Sequence, residues 1–85
     1  MEPMEYALRY GSKQCKKVSE KAGIGYEYFK QIAHGRRRAS PDAAARLAKA
    51  SGNRITVRDL AVSTEEQKAR REKYRGVRIP LFGSE

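Results

Sequence analysis

Residues 15 to 35 read CKKVSEKAGIGYEYFKQIAHG. Two helices that meet at a sharp turn need a small residue where their backbones approach, a glycine where the chain reverses, and apolar residues at fixed offsets to weld the pair. Ser19 and Gly23 fill the first two positions, and Val18, Ala22, Ile24, Phe29 and Ile32 supply all five apolar offsets. The stretch predicts one helix from Lys13 to Ala22 and a second from Tyr26 to His34, closed by Gly35. At about 100° per residue, Tyr26, Glu27, Lys30, Gln31 and His34 share an arc of roughly 140°, with Tyr28, Phe29 and Ile32 opposite. The polar groups on that arc suit base edges. Lys30 can donate to guanine, Gln31 can pair with adenine, Glu27 can accept from the cytosine amino group, and Tyr26 can touch a thymine methyl or a phosphate.

Outward from this stretch the chain also reads as helical, because apolar residues recur at three and four rather than alternating. Met4, Ala7 and Leu8 form a short stripe after Pro3, which predicts a helix over 4–10 ending near Gly11. Ser12 can cap the helix that follows, whose inward positions are Cys15, Val18, Ser19 and Ala22. Ser40-Pro41-Asp42 has the residues of a helix start, and Gly52 ends that helix. Thr56 with Asp59 reads as a capping box for a short turn through Leu60, and Ser63 with Glu66 repeats the device for a helix to about Arg75. That last helix has few apolar positions, chiefly Ala69 and Tyr74, so it is expected to be solvated or to lie against something outside the chain. After Gly76, Val77, Ile79 and Leu81 alternate with Arg78 and Pro80, an extended arm with a strand-like face.

With 85 residues, 39% hydrophobic and 34% charged, the expectation is an all-α, five-helix chain. It divides into a helical domain over 1–62 and a basic helix with an apolar arm over 63–85. A chain this short buries roughly 60% of its unfolded surface, which leaves little room for an enclosed catalytic cleft. The lone Cys15 excludes an internal disulfide and a thiolate zinc finger, and the single His34 excludes a His-rich metal site, so neither an enzyme nor a bound cofactor is expected. Cys15 reads as a small buried residue rather than a redox sensor. The absence of a long apolar run or a signal-like start points to a cytoplasmic protein with no membrane partner.

The net charge of +9 is unevenly spread. Residues 36–60 hold seven basic against two acidic side chains, whereas 1–35 and 61–85 each hold six against four. Such an excess on a small scaffold points to a polyanionic partner. Arg36, Arg37 and Arg38 directly follow the second helix of the pair, where a loop can lie along a phosphate ribbon, and Lys13, Lys16 and Lys17 crowd the start of the first. These six are the candidate phosphate contacts. Lys68, Arg70, Arg71, Lys73 and Arg75 of the last helix form either a solvated basic face or a second polyanion contact.

The residues at 15–35 resemble the helix-turn-helix of the lambda-repressor-like, Cro/CI-type DNA-binding domains, with Tyr26 to His34 as the recognition helix. The downstream stretch SPDAAARLAKASGNRITVRDL is similar to the YdaS-type branch of prophage regulators and antitoxins. Together the likeness covers residues 4–60. Ser19 departs from the alanine most common at the tight contact, Cys15 from the frequent polar residue opening the helix, and Lys16 and Lys17 make that helix unusually basic. The resemblance implies base contacts at Gly25, Tyr26 and Glu27, with Lys30 and Gln31 one turn later. It implies a phage or prophage Cro-like repressor that binds double-stranded operator DNA through the major groove, in a bacterial nucleoid.

Two rivals stay open at this point. One is an antitoxin or anti-repressor whose 61–85 segment binds a toxin or another protein, and the other is a binder of RNA or single strands. One helix-turn-helix covers a half-site, so a homodimer is expected. Val77, Ile79, Leu81 and Phe82 form the apolar cluster expected to join two copies, unless the arm folds back over the Tyr6 and Tyr10 face of its own chain.

Overall fold

The computed structural model describes residues 1–81, which form five helices and no strand. They are α1 (Pro3–Ala22), α2 (Tyr26–Ala33), α3 (Pro41–Ala50), α4 (Val57–Leu60) and α5 (Thr64–Lys73). Gly11 breaks α1 with φ 84° and ψ 173°, a backbone state open in practice to glycine alone, so the helix is two segments, 3–10 and 12–22, as the sequence predicts. Among the described residues no helix is long and apolar enough to cross a membrane.

The caps explain why the helix ends fall where they do. Gly23 is left-handed, its N–H bonding to the Glu20 carbonyl and that of Ile24 to the Ser19 carbonyl, which satisfies two orphan carbonyls at the end of α1. Ser40 Oγ accepts from the Ala43 amide, Thr56 and Asp59 form a reciprocal capping box, and Ser63 Oγ accepts from the Glu66 amide. Burial works to raise the Asp59 carboxyl, but hydrogen bonds from Thr56 and from the terminal ammonium of Met1 outweigh it and hold the group below the usual carboxylate range. Ser51 organises the next turn: its hydroxyl lies within hydrogen-bond reach of the Ala48 and Ile55 carbonyls and accepts from the Ile55 amide.

The core lies where α1 packs on α2 and α3, with α4 closing over α3. Phe29, Met4, Leu47, Ile55 and Leu60 are fully buried there, and the expected inward residues Cys15, Val18, Ser19 and Ala22 all join them. Ser19 is tolerated at the tight contact because its hydroxyl donates to the Cys15 carbonyl one turn back, leaving no orphan polar group. Burial pushes the Cys15 thiol up to about 12, so at neutral pH it is an inert apolar filler.

Three expectations need correction. Leu8 is 40% exposed, and Tyr6 takes the inward place instead. In α5, Ala69 is exposed and Arg70 is the buried residue, only 7% accessible. Its guanidinium donates to the Asp59 carbonyl at 2.8 Å and pairs with Glu66 at 3.0 Å and Glu2 at 3.7 Å, while Tyr74 donates to Glu2 at 2.7 Å. The helix is thus clipped to the N-terminal turn by polar bonds rather than lying free of the chain. Finally, the arm is extended but pairs with no strand. It seats on Ser12 and His34, away from the Tyr6 and Tyr10 face.

Candidate functional site

The short turn 23–25 sets the second half of α1 against α2, and Phe29, Ile32 and Ala33 of α2 turn into the core. This leaves Tyr26, Glu27, Lys30, Gln31 and His34 exposed or half-buried on the outer face, the arc expected from the wheel. Tyr26 is its anchor. The ring stacks on Phe29 at 6.4 Å between centroids, with the ammoniums of Lys16 and Lys30 at 5.5 and 5.1 Å from its own centroid. Glu27 pairs with Lys30 at 2.7 Å and holds that ammonium's pKa above the ordinary lysine value. Desolvation by burial likewise raises the Tyr26 hydroxyl, which therefore stays protonated and able to donate.

Gly25, at the start of α2, has φ of −76° and nothing within 4 Å of where a Cβ would stand. Neither conformation nor packing demands glycine there, so what it contributes is an uncovered helix end where a ligand backbone can come close.

The arginine triplet does not act as one patch. Arg37 lies over the Tyr28 ring at 5.3 Å and donates to Gln31 Oε1 at 3.4 Å, and the Tyr28 hydroxyl accepts from the Ser40 amide. Tyr28 therefore sits on the flank of α2 and shapes the loop, rather than lying wholly opposite the polar arc. Arg36 shares a cleft with His34, Arg71 and Arg75, and Arg38 turns toward an apolar groove lined by Pro41, Val57 and Leu60. The cause is the approach of α5 to Gly35, where a Cβ would stand 2.5 Å from the Arg71 nitrogen and 2.8 Å from the Gln67 oxygen. That contact carries Arg71 and Arg75 to the end of α2. The sequence left their role open because a basic helix shows no local sign of where it docks.

Lys16 joins the α2 face through Tyr26, whereas Lys13 and Lys17 are exposed one turn to either side along α1. A cleft of about 480 Å³ is lined by Ser12, Lys16, Tyr26, Lys30 and His34 from the helices and by arm residues including Arg78. No carboxylate lines it. Arg78 was not singled out from the sequence, since its place depends on where the arm lands. Val77 and Ile79 are half-buried against their own chain's core, so their apolar surface is occupied within the chain rather than offered to a second copy. Leu81 is 90% exposed, and Phe82 lies outside the described residues.

The His34 ring abuts two carbonyls, Nδ1 2.9 Å from the Lys30 oxygen and Nε2 2.8 Å from the Val77 oxygen. A singly protonated ring donates to one of them. Among the described residues no group of three or more His, Cys, Asp or Glu is placed to hold a metal ion. Comparison of the chain with protein-family models, with curated proteins and with solved structures returns no match.

Proposed function

We propose that this chain is a sequence-specific double-stranded DNA-binding transcriptional regulator of the lambda-repressor-like helix-turn-helix type. In this reading, residues 12–22 are its positioning helix and α2 its recognition helix. One observation carries the reading: α2 buries Phe29, Ile32 and Ala33 and presents Tyr26, Glu27, Lys30 and Gln31 outward, between Lys16 on one side and Arg36 and Arg37 on the other. Hydrogen-bonding groups suited to base edges thus stand between cations suited to phosphates. The regulator acts by occupancy, covering a promoter and excluding polymerase. Two copies spaced about 34 Å apart would read successive major-groove faces.

The test is a competition between a selected duplex and random DNA. Lys30→Ala and Gln31→Ala are each expected to lose about 1 to 3 kcal/mol of discrimination with thermal stability nearly unchanged, because neither side chain contributes to the core. Wild-type preference in both variants would sink the recognition-helix assignment. A palindromic consensus from the selection would support a dimer, and a single half-site would argue against one.

A further inference from the structure

We infer that the arm over residues 77–81 is an autoinhibitory strap across the base-reading face, which must lift before α2 can enter a groove. The inference rests on the DNA-binding reading above and concerns how that same face is regulated.

The arm lies where the ligand would go. It lines one cleft with Lys16, Tyr26, Lys30 and His34. The Val77 carbonyl meets His34 Nε2 at 2.8 Å, and the Pro80 carbonyl accepts the Ser12 amide at 2.7 Å. Ser12 opens the second helical segment of α1 after the break at Gly11, so its N–H has no partner within that segment and is otherwise one of the donors that a phosphate would use.

Size makes the two occupants exclusive. The major groove is about 12 Å wide, and a helix with its side chains is about 10 to 12 Å across. An extended segment laid alongside adds about 5 Å, the spacing of neighbouring extended chains. A recognition helix with the arm still seated does not fit.

The seat is also weak enough to open. Beyond the turn bond from the Val77 amide to the Tyr74 carbonyl, the two contacts above join half-buried Val77 and Ile79 in holding it. Residues 76–81 include no acidic side chain, so Arg78 is laid on a face that already carries Lys16 and Lys30. Like charges oppose the closed state, and a polyanion favours the open face.

The test uses a mixed-sequence 20-base-pair duplex at about 50 mM salt and the full chain carrying Val77→Ser and Ile79→Ser together. Both changes are neutral, so a rise in affinity would not come from added charge. The double variant is expected to bind about tenfold tighter, as when the competent state rises from roughly a tenth of the population to nearly all of it. Equal or weaker binding by a variant that still melts cooperatively would overturn the strap while leaving DNA binding intact. Failure of both proteins to show salt-dependent binding would remove the DNA reading, and the strap with it. A second measurement needs no variant. In the wild-type protein, methyl-to-ring proton contacts from Val77 and Ile79 to Tyr26 and His34 are expected to vanish on saturation with duplex. Their persistence would make the arm part of the bound interface and overturn the strap.

Discussion

Gly35→Ala is expected to be the most damaging single-methyl change in the chain, lowering stability by about 3 to 5 kcal/mol. Two costs add. Gly35 has φ of +76°, where an L side chain is strained, and the new Cβ would stand 2.5 Å from the Arg71 nitrogen and 2.9 Å from the Arg70 carbonyl carbon. Those are backbone atoms that cannot rotate away, so α5 would have to lift. Gly76→Ala is the control, because its φ of +72° carries the same strain with nothing within 4 Å of the added carbon. It should lose about 1 to 2 kcal/mol. For a domain of this size, a thermal melt should place Gly35→Ala about 10 °C or more below Gly76→Ala. Coincident melts would show that α5 does not press on residue 35.

The second large effect is on affinity. Changing Arg36, Arg37 and Arg38 together to Ala should weaken binding to specific and random duplexes alike, by about two to three orders of magnitude near 0.1 M salt if all three touch phosphates. The slope of log affinity against log salt should flatten by about 0.9 per lost contact. All three side chains are exposed, so stability should hold. Single variants should separate them. Arg37→Ala also releases Gln31 and the Tyr28 ring, so it alone should alter base preference. An unchanged salt slope in the triple variant would make the triplet an ordinary solvated loop.

The local layout was legible because short-range chemistry decides it. Ser40, Thr56 and Ser63 cap where their side-chain oxygens predict, Gly23 and Gly35 stop helices through positive φ, and Gly11 divides α1 for the same reason. The outer arc of α2 was legible too, since five residues at helical spacing define a face without knowledge of what covers it. The errors arose where a distant segment decides the outcome. Leu8 and Tyr6 are two residues apart on a helix of two turns, and which one turns inward depends on what packs against it. Arg70 is buried because Glu2, Glu66 and the Asp59 carbonyl converge on it, and neither Glu2 nor Asp59 is its helical neighbour. The seat of the arm is non-local in the same way: a period-two pattern announces an extended segment but not that Ser12 and His34 will receive it.

The clip joining Glu2 to Arg70 and Tyr74 bears on the order of events during synthesis. The helices from 12 to 60 can pack as soon as they leave the ribosome, since their contacts are mostly close in sequence. The first turn must wait for a partner 72 positions further on. At about 5 to 20 residues per second, the chain from residue 60 to residue 74 takes on the order of a second to appear. For that interval the nascent protein holds a packed α1–α3 core with its leading turn unclipped, and α5 completes the molecule last.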